Sequence, residues 1–72
     1  MMTQSPADPG QRVSNALLED PRTEEAIIDV ANERGIITLT GSVDSEETRQ
    51  AAEQIARDDQ GVISVVNALK VE

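Results

Sequence analysis

Gly35-Ile36-Ile37-Thr38-Leu39-Thr40-Gly41-Ser42-Val43 alternates between two kinds of residue. Ile37, Leu39, Gly41 and Val43 fall on one side of an extended chain, and Ile36, Thr38, Thr40 and Ser42 on the other. β-Branched residues dominate, which suits a pleated surface. The stretch therefore reads as a strand with one face turned to a core. Gly41 stands on that face and brings no side chain to pack. A glycine inside a strand marks either a bulge or a place where another backbone comes close.

Toward the C-terminus, Asp44 and Ser45 open a helix predicted over about residues 46–59. Asp44 with Glu47, or Ser45 alone, supplies its cap. Thr48, Ala51, Ala52, Ile55 and Ala56 recur at helical spacing and form its inner face, small enough to lie over Gly41. Glu53 and Arg57 make an i,i+4 pair in the favourable order. Asp58 and Asp59 stand at the wrong end for the helix dipole. Gly61 is the expected stop, in the left-handed cap position. Residues 62–71 then read as a strand. Val65, Asn67, Leu69 and Val71 share its inner face, and Ser64, Val66, Ala68 and Lys70 take the other. A helix joining two strands of one sheet predicts a right-handed crossover.

Toward the N-terminus, Glu33-Arg34-Gly35 is a hairpin turn in which glycine supplies positive φ. It joins the opening stretch to a strand over residues 26–32, with Ile28 and Val30 inward and Asp29 and Ala31 outward. Residues 21–25 form a linker. Before it, Asp8 caps a helix, Pro9 suits its first position and Gln11 completes a capping box. Val13, Ala16 and Leu17 mark its apolar stripe, with Leu18 alongside. Gly10 and Asn15 weaken this helix, so packing must hold it. It stops near Asp20, because the residue before Pro21 disfavours helical angles. Residues 1–8 are expected to be a disordered tail and residues 9–72 a single domain. The fold class is α+β in the order αββαβ, a three-stranded mixed sheet with two helices on one face.

Composition narrows the functions. At 72 residues there is room for one domain. Cys, His, Phe, Trp and Tyr are all absent, so the core is aliphatic and neither thiolate nor imidazole can bind a metal. Fourteen acidic against six basic residues leave a net charge of -8. That argues against nucleic acid, whose binding rests on neutralised phosphates, and against simple attraction to anionic lipid. Asp44, Glu46 and Glu47 offer oxygens to a cation. They lack the alternating ligands and turn glycine of a calcium loop, and helix starts draw carboxylates in any case. A metal is equally disfavoured at Asp58-Asp59, whose poor fit to the helix dipole the sequence does not explain. With no nucleophile or cofactor motif, neither an enzyme nor a cofactor is expected. No apolar run is long enough to span a membrane, and no secretory core opens the chain. A cytoplasmic location is expected, or a periplasmic one if the chain is a piece of an exported protein.

The pieces taken together resemble the BON domain (bacterial osmotically-inducible and nodulation). The carriers are Ala16-Leu17 with Asp20-Pro21-Arg22; Ile28 and Val30; Gly35 through Gly41; Ala52, Ile55 and Ala56; and Gly61-Val62 with Val65-Val66-Asn67-Ala68-Leu69-Lys70-Val71. The likeness spans residues 13–71. It makes Gly35, Gly41, Gly61 and Asn67 family-signature residues. We read them as structural: Gly41 for close packing or a bulge, and Asn67 as a tie between strand and neighbouring backbone. The resemblance implies attachment to phospholipid membranes, often in periplasmic stress-response proteins, and no catalysis. Related proteins place the domain beside other modules, including one that binds potassium. This chain departs from the family pattern at Thr23 and Asp59, where aliphatics are usual, and at Asn32, where valine is common. Two functions follow. One is a lipid-attachment module; the other is a protein-interaction or self-association module working through the sheet edges or the exposed sheet face.

Overall fold

A computed structural model of the chain describes residues 8–72. The expected tail lies outside the described residues except for Asp8, which belongs to the first helix as its cap. Helix α1 runs Pro9–Glu19, strand β1 Ile27–Glu33, strand β2 Ile36–Val43, helix α2 Glu46–Arg57 and strand β3 Ser64–Val71. Both helices lie on one face of a three-stranded sheet ordered β1-β2-β3. The expected α+β architecture is the one observed.

Asp8 Oδ1 accepts from Gln11 N at 2.8 Å, with Pro9 at the helix start. The capping box is only half made, because the Gln11 side chain reaches forward to Asn15 Oδ1 instead of back. Gly10, read as a weakness, lets α1 close on β1. A Cβ there would stand 2.8 Å from the Asn32 Cβ. The helix buries Val13 and Leu17 and leaves Leu18 63% exposed.

The segment at residues 21–25 is a series of turns, and it contributes to the interior. Thr23 is buried, and its hydroxyl donates to Leu17 O at 2.6 Å. A carbonyl of the last helical turn, which lacks an intrahelical partner, is thereby satisfied. This is how a threonine serves at a usually aliphatic position.

β1 pairs antiparallel with β2 across Arg34-Gly35, both at positive φ (57° and 91°). That combination defines the hairpin turn whose twist matches the strands. It leaves Glu33 paired with Ile36, so β1 starts and ends one residue later than the sequence suggested. β2 pairs in parallel with β3 through α2. The core sits between sheet and helices. Ile37 and Leu39 are fully buried with Val13, Leu17, Val43, Ala52, Ala56 and Leu69 around them.

α2 is capped by Ser45, whose hydroxyl accepts from Thr48 N. It ends at Arg57, two residues earlier than expected, with Asp58 as cap. The expected left-handed Gly61 is not found: the glycines at positive φ are Gly35 and Gly41. The chain instead turns on Asp59, whose carboxylate accepts from Gly61 N and whose carbonyl accepts from Val62 N. Glycine at 61 leaves room for its neighbours, since a Cβ would stand 2.7 Å from Arg12 Nη2 and 2.9 Å from Pro9 Cγ and would displace the arginine tip. Val62 and Ile63 belong to this return, so β3 begins at Ser64. No helix among the described residues is long and apolar enough to cross a membrane.

Candidate functional site

Gly35 and Gly61 meet at the hairpin end of the molecule. A Cβ on Gly35 would lie 3.3 Å from Gly61 O and 2.9 Å from the Ile63 side chain. Gly35 O accepts from Ile63 N at 2.7 Å, which seats the start of β3 beside β2.

Gly41 lies elsewhere, in the middle of the sheet with φ 126°. The β1–β2 register runs unbroken past it, from Ile27↔Ser42 to Glu33↔Ile36, so there is no bulge. The close neighbour is the β1 backbone and not the alanine face of α2. A Cβ on Gly41 would run into the Ile27 carbonyl oxygen.

Asn67 sits on β3 opposite Leu39, under α2. Its Nδ2 donates to Arg49 O and to Glu53 Oε1, each at 3.1 Å. Its Oδ1 accepts from Leu69 N at 3.2 Å. The Asn67 amide, and next the Arg57 guanidinium, hold the Glu53 carboxyl below its ordinary range. One amide thus joins strand, helix backbone and helix side chain. The four signature residues fall into three separate places: a glycine pair at the hairpin end, Gly41 against β1, and Asn67 against α2.

The acidic residues separate in the same way. Glu46 pairs with Arg49 at 2.9 Å, while Asp44 lines a shallow cleft of about 550 Å³ with Arg22, Glu25, Ile27 and Glu72. Among the described residues no three carboxylates stand together as metal ligands. Asp58 accepts from Gln54 Nε2. Asp59 binds the Arg12 guanidinium through both oxygens, at 2.7 and 2.9 Å. Arg12, and then the Gly61 N–H, hold the Asp59 carboxyl below the usual carboxylate range. The charge that fits the α2 dipole badly is therefore a tie to α1.

Sequence reasoning missed the contrast between the sheet's two edges. In a hairpin closed by two residues, Glu33 and Ile36 exchange backbone bonds, and so does every second pair after them. The odd-numbered residues of β1 therefore turn their N–H and C=O groups to β2, and Ile28, Val30 and Asn32 turn theirs outward. On the far side, Glu72 N donates to Val43 O. That sets the even-numbered residues of β3 toward β2 and leaves Val65, Asn67 and Leu69 at the edge. There the outward N–H of Leu69 is already taken by the Asn67 side chain. No comparable side chain covers β1 among the described residues. Its edge opens beside α1 onto a cleft of about 290 Å³ lined by Asp8, Gly10, Gln11, Ser14, Val30 and Asn32. The signal that could have found this was present: alternation from a two-residue turn dictates which groups of β1 are left over.

Residues 10–72 match the BON domain family, and the chain belongs to that family. BON domains are generally non-enzymatic binding modules. None of the curated proteins with which the chain was compared matches it.

Proposed function

We propose that this chain is a non-catalytic attachment module of the BON type, working by surface contact through its three-stranded sheet. The observation that carries this reading is the helix-free sheet face. It presents Ile27, Ile36 and Val66, respectively 80%, 43% and 48% exposed, beside Ala31, Thr38 and Ala68. Side chains of this kind suit contact with a partner protein, which they reach together with the backbone groups of the open edge.

Family membership favours phospholipid as the surface, in a stress-related setting. The basic residues modify that expectation. Arg12, Arg22, Arg49 and Arg57 are each held in an ion pair, and all six are scattered along the chain. Each basic residue near an anionic surface contributes about 1 kcal/mol, and this chain offers no cluster of them. In this reading membrane attachment arises through avidity, a partner or one specific headgroup. Co-sedimentation with phosphatidylglycerol vesicles at physiological salt tests it. Weak or absent binding of the monomer is expected, and micromolar binding would put lipid first.

A further inference from the structure

We propose that the free edge of β1 accepts an extended, basic peptide segment as a fourth strand of the sheet. The inference rests on the attachment reading above and names the surface and the chemistry of the partner.

The backbone comes first. β1 is seven residues long, regular, and free of proline and bulges, and the charges it carries, Asp29 and Glu33, are both acidic, so they repel an acidic strand and not a basic one. Ile28, Val30 and Asn32 turn a continuous row of donors and acceptors away from β2. The neighbouring cleft against α1 gives an incoming strand space beside Val30 and Asn32. Leu18, four residues on from Ser14 of that cleft, is exposed on the same side of α1. The β3 edge offers no equivalent, because Asn67 occupies the Leu69 N–H.

Charge then selects the partner. Asp29 and Glu33 project from β1 on the helix-free face, and Glu24 and Glu25 precede the strand. All four are exposed, and none enters an ion pair among the described residues. An added strand places side chains directly opposite Asp29 and Glu33 at positions four apart, where lysine or arginine pairs favourably. A second copy of this chain would bring the same carboxylates to one line and set one charge of -8 against another. The edge is thus matched to a basic strand and mismatched to itself.

The test is an NMR titration of the isotopically labelled chain with a synthetic peptide of alternating valine and threonine carrying two lysines four positions apart. Saturable shifts and slowed exchange at Ile28, Val30 and Asn32 are expected, with no binding of the same peptide carrying glutamate for lysine. Asp29→Lys with Glu33→Lys, both exposed sites, should weaken binding at least tenfold. Val30→Pro, which deletes one outward N–H, should abolish it. Shifts at Leu69 and Val71 instead, equal binding of the glutamate peptide, or no saturable shift at millimolar peptide would overturn the inference. So would association of the chain with itself through β1. Vesicle co-sedimentation is measured on the same samples. Sedimentation with the β1 amides unmoved by the peptide removes the edge inference and leaves the attachment reading standing.

Discussion

β1 and β3 are the two outer strands of one sheet, seven and eight residues long, and their free edges are finished differently. At β3 the Asn67 side chain turns back on its own strand, fills the Leu69 N–H and ties the strand to Arg49 and Glu53 of α2. At β1 the strand is held just as closely, with Gly10 against Asn32 and Gly41 against the Ile27 carbonyl, yet among the described residues no side chain fills its outward N–H groups as Asn67 does at β3. Packing a strand and closing its edge are separate tasks. Close packing needs small residues on the neighbours; closing the edge needs a polar side chain on the strand itself.

The most severe test of this comparison is Gly41→Val, which attacks the β1 seam alone. Overpacking costs about 1–3 kcal/mol and a left-handed backbone at a branched residue about 1–3 more. A domain of this size has roughly 4–10 kcal/mol in all, so much of the chain should unfold or release β1. Urea denaturation measures it. Leu39→Ala, at the fully buried centre under both helices, should cost about 2–5 kcal/mol and serves as reference. A Gly41→Val protein that melts like wild type would mean that β1 does not press on β2.

Asn67→Ala addresses the other seam. Losing a satisfied, half-buried amide and orphaning its partners should cost about 1–3 kcal/mol, or several degrees of melting temperature. Hydrogen exchange should quicken at Leu69 and stay unchanged at Ala31, whose N–H is turned to β2. Equal acceleration at both would erase the distinction between the edges.

Acid sharpens it further. The folded-state pKa of Glu53 is depressed, first by Asn67 and then by Arg57. The stabilisation is present above the unfolded glutamate value of about 4.3 and is lost as pH falls through the lower folded value. Below about pH 4 the α2–β3 seam should therefore weaken, and less so in Asn67→Ala. A pH profile of melting that is parallel in the two proteins would contradict this. Asp59, depressed by Arg12, adds the same sign between α1 and the β3 approach. The smallest effect is expected from salt. Screening over about 8–10 Å should raise the melting temperature slightly, by relieving repulsion among unpaired carboxylates such as Asp29 and Glu33. Reversing both charges to lysine should reduce that rise.

Elements and faces were legible in the chain because they are properties of single segments. Alternation from Ile36 to Val43, the Arg34-Gly35 turn and the Asp8-Pro9 start each report on their own neighbourhood. What escaped were relations between distant segments. Gly41 announced a close approach, but its partner is the β1 backbone and not α2. Asp59 looked misplaced because Arg12, which explains it, lies on another helix. Gly61 was assigned to an angle, whereas its neighbours Pro9 and Arg12 show that what it leaves is space. Thr23 sat in an expected linker, and only the free carbonyl of Leu17 accounts for its burial. Periodicity names a face and leaves open what will lie against it.

The turn at Arg34-Gly35 also carries a kinetic consequence. It lets β1 and β2 find each other within a few residues, on the time scale of about 1–10 μs on which hairpins form. β3 is separated from β2 by the whole of α2, so its closure spans many more residues and is expected to be slower. During that interval β2, which carries Ile37 and Leu39, is itself an outer strand. The chain's greatest exposure to wrong partners therefore falls in refolding and not in the finished molecule, and dilution during refolding should improve the yield of native protein.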